Sequence, residues 1–286
     1  MNHKGRRKMS VFKLCAFADE ADPSVSGQIS ALRENDIEMI ELRGVDGRNV
    51  TELTTEEMRK LRKRLDDEGI KIWSIGSPIG KIEIEDDFKK HTELFRHTLE
   101  LANIAGAEKM RIFSFFMSPE DAPKYKNRVI EQLGTLADIA KGSGVVLCHE
   151  NEKDIYGDIP ERCVDIHKAI PELRAVFDPA NFVQCNVDTL TAWDMLRPYI
   201  DYMHMKDADC DKVIVPAGKG AGNVPQLLEN YKSLSGGVIT LEPHLFEFVG
   251  LAGLEREGAT SVIGNNYNSK REAFDAGVNA LKELIK

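Results

Sequence analysis

Short apolar runs alternate with amphipathic stretches along most of the chain. VFKLCAF (Val11–Phe17) predicts a first strand, and Ser24–Glu34 a helix with Ile29 and Leu32 on one face. EMIELRG predicts a second strand ending near Glu41 to Arg43. A helix should follow, capped by Thr54 or Thr55, acidic in its first turn and stopped by Gly69. KIWSIGSP reads as the third strand. The stretch from Asp87 to Gly106 reads as a long helix whose apolar stripe carries Phe88, Leu94, Phe95, Leu99 and Leu101. KMRIFSFF is the fourth strand and Tyr125–Lys141 the next helix. The rhythm then repeats: strand GVVLCHE, helix Ile159–Ile170, strand LRAVFD, helix Thr189–Leu196, strand IDYMHMKD, helix Val224–Tyr231, strand GGVITLEP and helix Lys270–Ile285.

About eight β/α units are the number that closes a (β/α)8 TIM barrel. The strands are near-continuous in Val, Ile, Leu and Met, as strands covered on both faces must be. A single TIM-barrel domain over residues 10–286 is the expectation, preceded by a flexible basic arm, residues 1–9 (MNHKGRRKM). An open doubly wound sheet is the alternative, because alternation alone does not prove closure.

The bulk numbers fit that domain. The chain has 286 residues, 42% hydrophobic and 30% charged, with a formal net charge of −9. Such acidity disfavours DNA or RNA as partner. No apolar run is long enough for a membrane span. The five cysteines (Cys15, Cys148, Cys163, Cys185 and Cys210) are scattered and form no CxxC pair, so reduced thiols in the cytoplasm are expected.

The candidate chemistry lies at the ends of four predicted strands. Glu150 ends VVLCHE, Asp178 ends AVFD, His204 lies in DYMHMKD and Glu242 follows VITL. In a parallel barrel these ends converge on one mouth. Three carboxylates and an imidazole there suit one divalent metal ion, Mn²⁺ or Mg²⁺ first, with Co²⁺ or Zn²⁺ also compatible. Each residue alone has a plainer reading: a surface acid, a turn former before Pro179, a core histidine, a turn cap. Their matched placement favours the joint one.

The residues around them are less specific. Lys206 lies two positions beyond His204, on the same side of the strand; it can bind a substrate oxygen or pair with Asp207. Glu41 and Arg43 share a face, to orient substrate or to form a structural ion pair. Trp73 can wall the pocket or pack in the core. His244 is expected to face the mouth, and His149 to point away into packing. Asp19 and Glu20 read as loop decoration. AGKGAG (Ala217–Gly222) has glycine amides that can cradle phosphate, but it lacks the P-loop spacing, and a turn or closing lid is the larger expectation.

With HEN at His149–Asn151, DPANF at Asp178–Phe182, HMKD at His204–Asp207, AGKGAG and LEP at Leu241–Pro243, the chain resembles the xylose isomerase-like barrel superfamily of sugar isomerases and epimerases. The resemblance implies Glu150, Asp178, His204 and Glu242 as ligands of one divalent metal. It also implies Glu150 and Glu242 as the groups that move a proton through an enediolate, on a small sugar or sugar derivative. Several epimerases carry a histidine three positions after the strand-six aspartate; this chain has Asn181, which can hydrogen-bond a hydroxyl but cannot exchange a proton near neutral pH. The resemblance leaves homo-oligomers through the outer helices open. The rivals are a hydride shift in place of proton transfer, a metal-dependent hydrolase or endonuclease-like enzyme on the same fold, and a non-catalytic sugar-binding barrel. The endonuclease-like reading needs more strand-end histidines than this chain offers.

Overall fold

The computed structural model describes residues 11–249, 256, 264 and 266–286; the basic arm expected at residues 1–9 lies outside them. Eight parallel strands close into a barrel. They are β1 (Phe12–Ala16), β2 (Met39–Leu42), β3 (Lys71–Gly76), β4 (Lys109–Ile112), β5 (Val146–Glu150), β6 (Arg174–Phe177), β7 (Ile200–Met205) and β8 (Gly237–Leu241). They follow one another round the wall in chain order, and β8 pairs with β1 from Phe12↔Gly237 to Ala16↔Leu241. This is a single (β/α)8 TIM barrel, and the open-sheet alternative falls with its closure.

The outer layer holds α1 (Val25–Glu34), α2 (Thr55–Asp67), α3 (Phe88–Ala105), α4 (Ala122–Ala140), α5 (Pro160–Ala169), α6 (Pro179–Gln184), α7 (Thr189–Leu196), α8 (Val224–Ser233) and α9 (Lys270–Leu284). Thr54 caps α2 in a capping box with Glu57. Asp87 caps α3, and Gly106 ends it in the left-handed region at φ 69°. On α3 the buried stripe runs His91, Phe95, Thr98, Ala102. Leu94 falls off that stripe and is 37% exposed, against the apolar reading of the sequence. Helix α4 starts at Ala122, three residues ahead of expectation, because Pro123 sits comfortably in a first turn. Helix α6, unforeseen, grows directly out of the strand-six motif.

Apolar residues fill the space between barrel and helices, and a smaller cluster plugs the barrel itself. Cys15, Trp73, Cys148, Val176 and Tyr202 form this plug, with Trp73 edge-on to Tyr202 at 4.8 Å between centroids. The plug sets the depth of the site. Side chains two positions further along a strand emerge on the same side, one layer higher. Cys148 is thus followed by Glu150, Val176 by Asp178 and Tyr202 by His204. All five cysteines are unpaired, and no described helix is long and apolar enough to cross a membrane.

Two buried histidines outside this layer carry a pH dependence. His91 Nε2 accepts the Gly80 amide at 2.9 Å, and burial lowers its pKa to about 4. His167 stacks on Tyr199, and burial lowers it to about 4 as well. In the unfolded chain both titrate near about 6.5. Between these values the unfolded state binds more protons, so their stabilisation is complete above pH ~6.5 and is lost as pH falls towards ~4. His91→Gln keeps an acceptor for Gly80 but has no such titration. The stability gap between wild type and this variant should narrow by about 1.6 kcal/mol from pH 6.5 to pH 5. Denaturant midpoints at the two pH values measure it, and a constant gap would contradict this account of His91.

Candidate metal centre at the barrel mouth

The mouth is built from strand ends and from the caps that follow them. Asp178 ends the β6 segment and is the N-cap of α6: its Oδ1 accepts the Asn181 amide at 2.8 Å, and Pro179 follows in the first turn. That cap leaves Oδ2 buried with no hydrogen-bond partner among the described residues, 3.3 Å from Lys206 Nζ. Asn151 fixes the neighbouring strand end. Its Nδ2 donates to the Asp178 carbonyl and its Oδ1 accepts the Asp178 amide, both at 2.9 Å.

His204 stands at the centre. Its Nδ1 lies 2.9 Å from Glu150 Oε1 and 3.3 Å from Glu242 Oε2. Its Nε2 lies 3.2 Å from Glu41 Oε2. Glu41 is held in turn by the hydroxyls of Ser74, Tyr202 and Thr240, which donate at 3.1, 2.8 and 2.8 Å. A carboxylate so fixed holds the Nε2 proton of the imidazole and turns Nδ1 towards the acids. One ligand atom each from Glu150, Asp178, His204 and Glu242 lies within 4.8 Å of all the others, and all four residues are buried.

Charge in this small volume is dense. Burial would lower the His204 pKa, but Glu150, Glu41 and Glu242 overcome it and raise it well above the ordinary value. Burial would raise Glu242, but Lys206 and other positive neighbours hold it well below the carboxylate range. Burial lifts Asp178 to about 7 against the opposing pull of Lys206. Lys206 bridges the two acids, 3.2 Å from Glu242 Oε2. It does not pair with Asp207.

The structure spreads the other candidates over three depths. Asn181 lies at the centre, where its Nδ2 donates to Glu150 Oε1 at 3.3 Å and to the Asn151 carbonyl at 2.9 Å. Arg43 is 3% exposed and sits in an ion cluster with Asp19, Glu20 and Glu242, at 2.9, 3.0 and 3.0 Å. Glu41 and Arg43 are therefore not each other's partner; Glu41 lies deeper, under His204. Asp19 and Glu20, read as loop decoration, belong to the buried cluster, and burial raises Glu20 to about 8 against the pull of Arg43. His244 faces this cluster, with Nε2 3.3 Å from Glu20 and 3.4 Å from Glu242; burial and Lys206 bring its pKa down to about 3. Trp73 lies in the plug beneath the site, the packing alternative. His149 points outward as expected, its Nε2 3.0 Å from Ser114 Oγ.

Two features escaped the sequence reading. Arg111 of β4 reaches Glu150 and Glu242, at 3.2 and 3.6 Å. Asp207 accepts the amides of Gly218, Gly220, Gly222 and Ala208 at 2.9–3.0 Å. The glycine-rich loop thus spends those amides on its own carboxylate and offers none of them to a phosphate. Lone charged residues among apolar neighbours were the available signal for Arg111.

The family model described as xylose isomerase-like TIM barrel matches residues 29–258. The chain belongs to this family. No curated protein matches the sequence. Among solved structures, the xylose isomerase-like barrel is similar to a probable 3-DHS dehydratase, AsbF, from Bacillus anthracis. The TM-score is 0.73 at 17% identity, covering 95% of this chain and 98% of that one. It is similar to a D-tagatose 3-epimerase-like protein, with TM-score 0.71, 16% identity and coverage of 96% and 97%. It is also similar to the IOLI protein described with a binding zinc atom, with TM-score 0.71, 14% identity and coverage of 96% of this chain and 98% of that one. At these identities the likeness establishes the fold. The quartet itself has the donor set and spacing to hold a metal ion: three carboxylates, an imidazole nitrogen oriented by Glu41, and the orphaned Asp178 Oδ2.

Proposed function

We propose that this xylose isomerase-like barrel is a divalent-metal-dependent isomerase or epimerase of a small sugar or sugar derivative. The carrying observation is the buried quartet, in which each glutamate turns one oxygen to the cluster while an arginine binds the other, Arg111 at Glu150 and Arg43 at Glu242. Glu150, Asp178, His204 and Glu242 would hold the ion, with Mn²⁺ or Mg²⁺ best suited to the oxygen-rich set and Co²⁺ or Zn²⁺ compatible. Bound there, the ion supplies Lewis-acid stabilisation of the negative charge that builds on a carbonyl oxygen when the neighbouring carbon loses a proton.

The chain's own residues do the rest. Glu150 accepts the proton from one side of the substrate, and Glu242 returns one from the other. Return to the same carbon gives an epimer; return to the former carbonyl carbon gives the isomer. Lys206 and Asn181 hydrogen-bond substrate oxygens in this reading. Glu41 keeps His204 in the right tautomer, Arg43 and His244 flank Glu242, and Trp73 supports the floor from below. A second reading draws on the similarity to the probable dehydratase: the same proton abstraction followed by loss of hydroxide from the next carbon.

Metal analysis of the purified protein and solvent-deuterium exchange over a panel of ketoses test both. Deuterium at the substrate carbon, abolished by chelation and restored by Mn²⁺, is the expected result. A product lighter by one water would favour the dehydratase reading. Tight sugar binding with no exchange, conversion or metal dependence would leave a non-catalytic barrel and defeat the proposal.

A further inference from the structure

Arg111 is among the largest fully buried side chains of the described residues, and it is only 1% exposed. It comes from the middle of β4 and points into the barrel beside β5. Two carbonyls hold its guanidinium from behind: Nη2 donates to Gly76 O at 3.2 Å and to Ser77 O at 3.5 Å. The faces of Phe113 and Phe17 flank it, 4.8 and 5.1 Å from Cζ to the ring centres. The group is thus pinned on its back edge and on its faces.

Its remaining front nitrogen, Nη1, meets Glu150 Oε2 at 3.2 Å and Glu242 Oε1 at 3.6 Å. These are not the oxygens that face His204, which are Glu150 Oε1 and Glu242 Oε2. Nη1 thus hydrogen-bonds the outer oxygen of Glu150 and forms an ion pair with the outer oxygen of Glu242, which Arg43 also binds at 3.0 Å. Its Nε is buried without a hydrogen-bond partner among the described residues. A guanidinium placed only to satisfy itself would not leave a buried donor unused.

We propose that Arg111 is a positioning residue for proton transfer, holding the outer oxygens of Glu150 and Glu242 at a common point against which the reacting carbon is presented. This rests on the reading of the two glutamates given above. A flexible carboxylate whose free oxygen can rotate loses the near-attack geometry, so the effect belongs to kcat and not to substrate affinity. Lysine cannot replace it, because an ammonium has neither the planar fork nor the reach to serve both carbonyls and both acids.

The test uses full-length Arg111→Lys and Arg111→Ala loaded with Mn²⁺. We expect Mn²⁺ stoichiometry and affinity to stay within about threefold of wild type and KM likewise, while kcat for deuterium exchange falls on the order of 10²–10³-fold. Millimolar guanidinium should restore about tenfold or more in Arg111→Ala and leave wild type unchanged. A kcat within about threefold of wild type in both variants would overturn the proposal. So would loss of Mn²⁺ binding in step with activity in both, which assigns Arg111 to the scaffold. If Arg111→Ala does not fold, Arg111→Lys alone decides by the split between kcat and Mn²⁺ affinity. A wild type inactive on every ketose would instead bring down the underlying reading, and this inference with it.

Discussion

Glu242→Gln is expected to lose deuterium exchange by a factor on the order of 10²–10⁴ while keeping the barrel folded. The substitution preserves shape, and the amide oxygen can still accept from Arg43, 3.0 Å away in the wild type. It removes the charge that attracts Lys206, and it places an NH₂ group where a carboxylate oxygen faces His204 and Lys206. An amide cannot take or return a proton in the working pH range, and it is a poorer ligand for a hard cation. The measurements are the exchange rate at saturating Mn²⁺, with circular dichroism and thermal midpoint as folding controls. Wild-type exchange in this variant would remove Glu242 from the chemistry.

The largest effect on stability is expected from Arg43. Its guanidinium binds Asp19 through Nε and Nη2 at 2.9 and 3.1 Å, Glu20 at 3.0 Å and Glu242 at 3.0 Å. It is also sandwiched between the rings of Phe17 and Phe248, 4.3 and 4.2 Å from their centres. Arg43→Met fills similar volume but leaves these acids together in the interior without their cation. Breaking a buried pair in this way costs about 3–5 kcal/mol. For a chain of this size the loss corresponds to a drop in thermal midpoint on the order of 10 °C. Arg43→Lys should recover little, since an ammonium cannot serve the bidentate Asp19 and two further acids at once. Denaturant unfolding of the three proteins reads the difference; a change below about 1 kcal/mol for Arg43→Met would mean that the cluster relaxes or takes up protons at little cost.

The fold was legible because strand burial on both faces writes itself as apolar runs, and eight such runs remain after the helices are removed. The four mouth residues were legible for the same reason: each breaks its run at the end where a barrel strand reaches the mouth. The partition of Glu41, Arg43 and Trp73 was not. Pairing between β2 and β3 shifts at Ile40/Glu41, so that Ile40 meets Ile72 and Glu41 meets Ser74, with Trp73 skipped. A bulge of this kind defeats the two-residue alternation from which faces are read. Ser74 thereby reaches Glu41 in the barrel interior while Trp73 joins the plug beside it. Arg111 was hidden differently: its partners are supplied by β3, β5 and the residue after β8, all distant in sequence. DPANF was recognised as a motif, but its start as a helix cap was not, because the aspartate that ends a strand also opens α6.

Asp207 has a consequence for how this entrance can change. A single side chain gathers Ala208 at one end of a fifteen-residue excursion and Gly222 at the other. A methyl group added at Gly220 would press within 2.3 Å of the Ala208 carbonyl oxygen, and one at Gly222 within 2.6 Å of Asp207 itself. This part of the rim is knotted to its own root and has little freedom to drift in sequence or in shape. New specificity in such a barrel must accordingly be recruited from elsewhere on the rim.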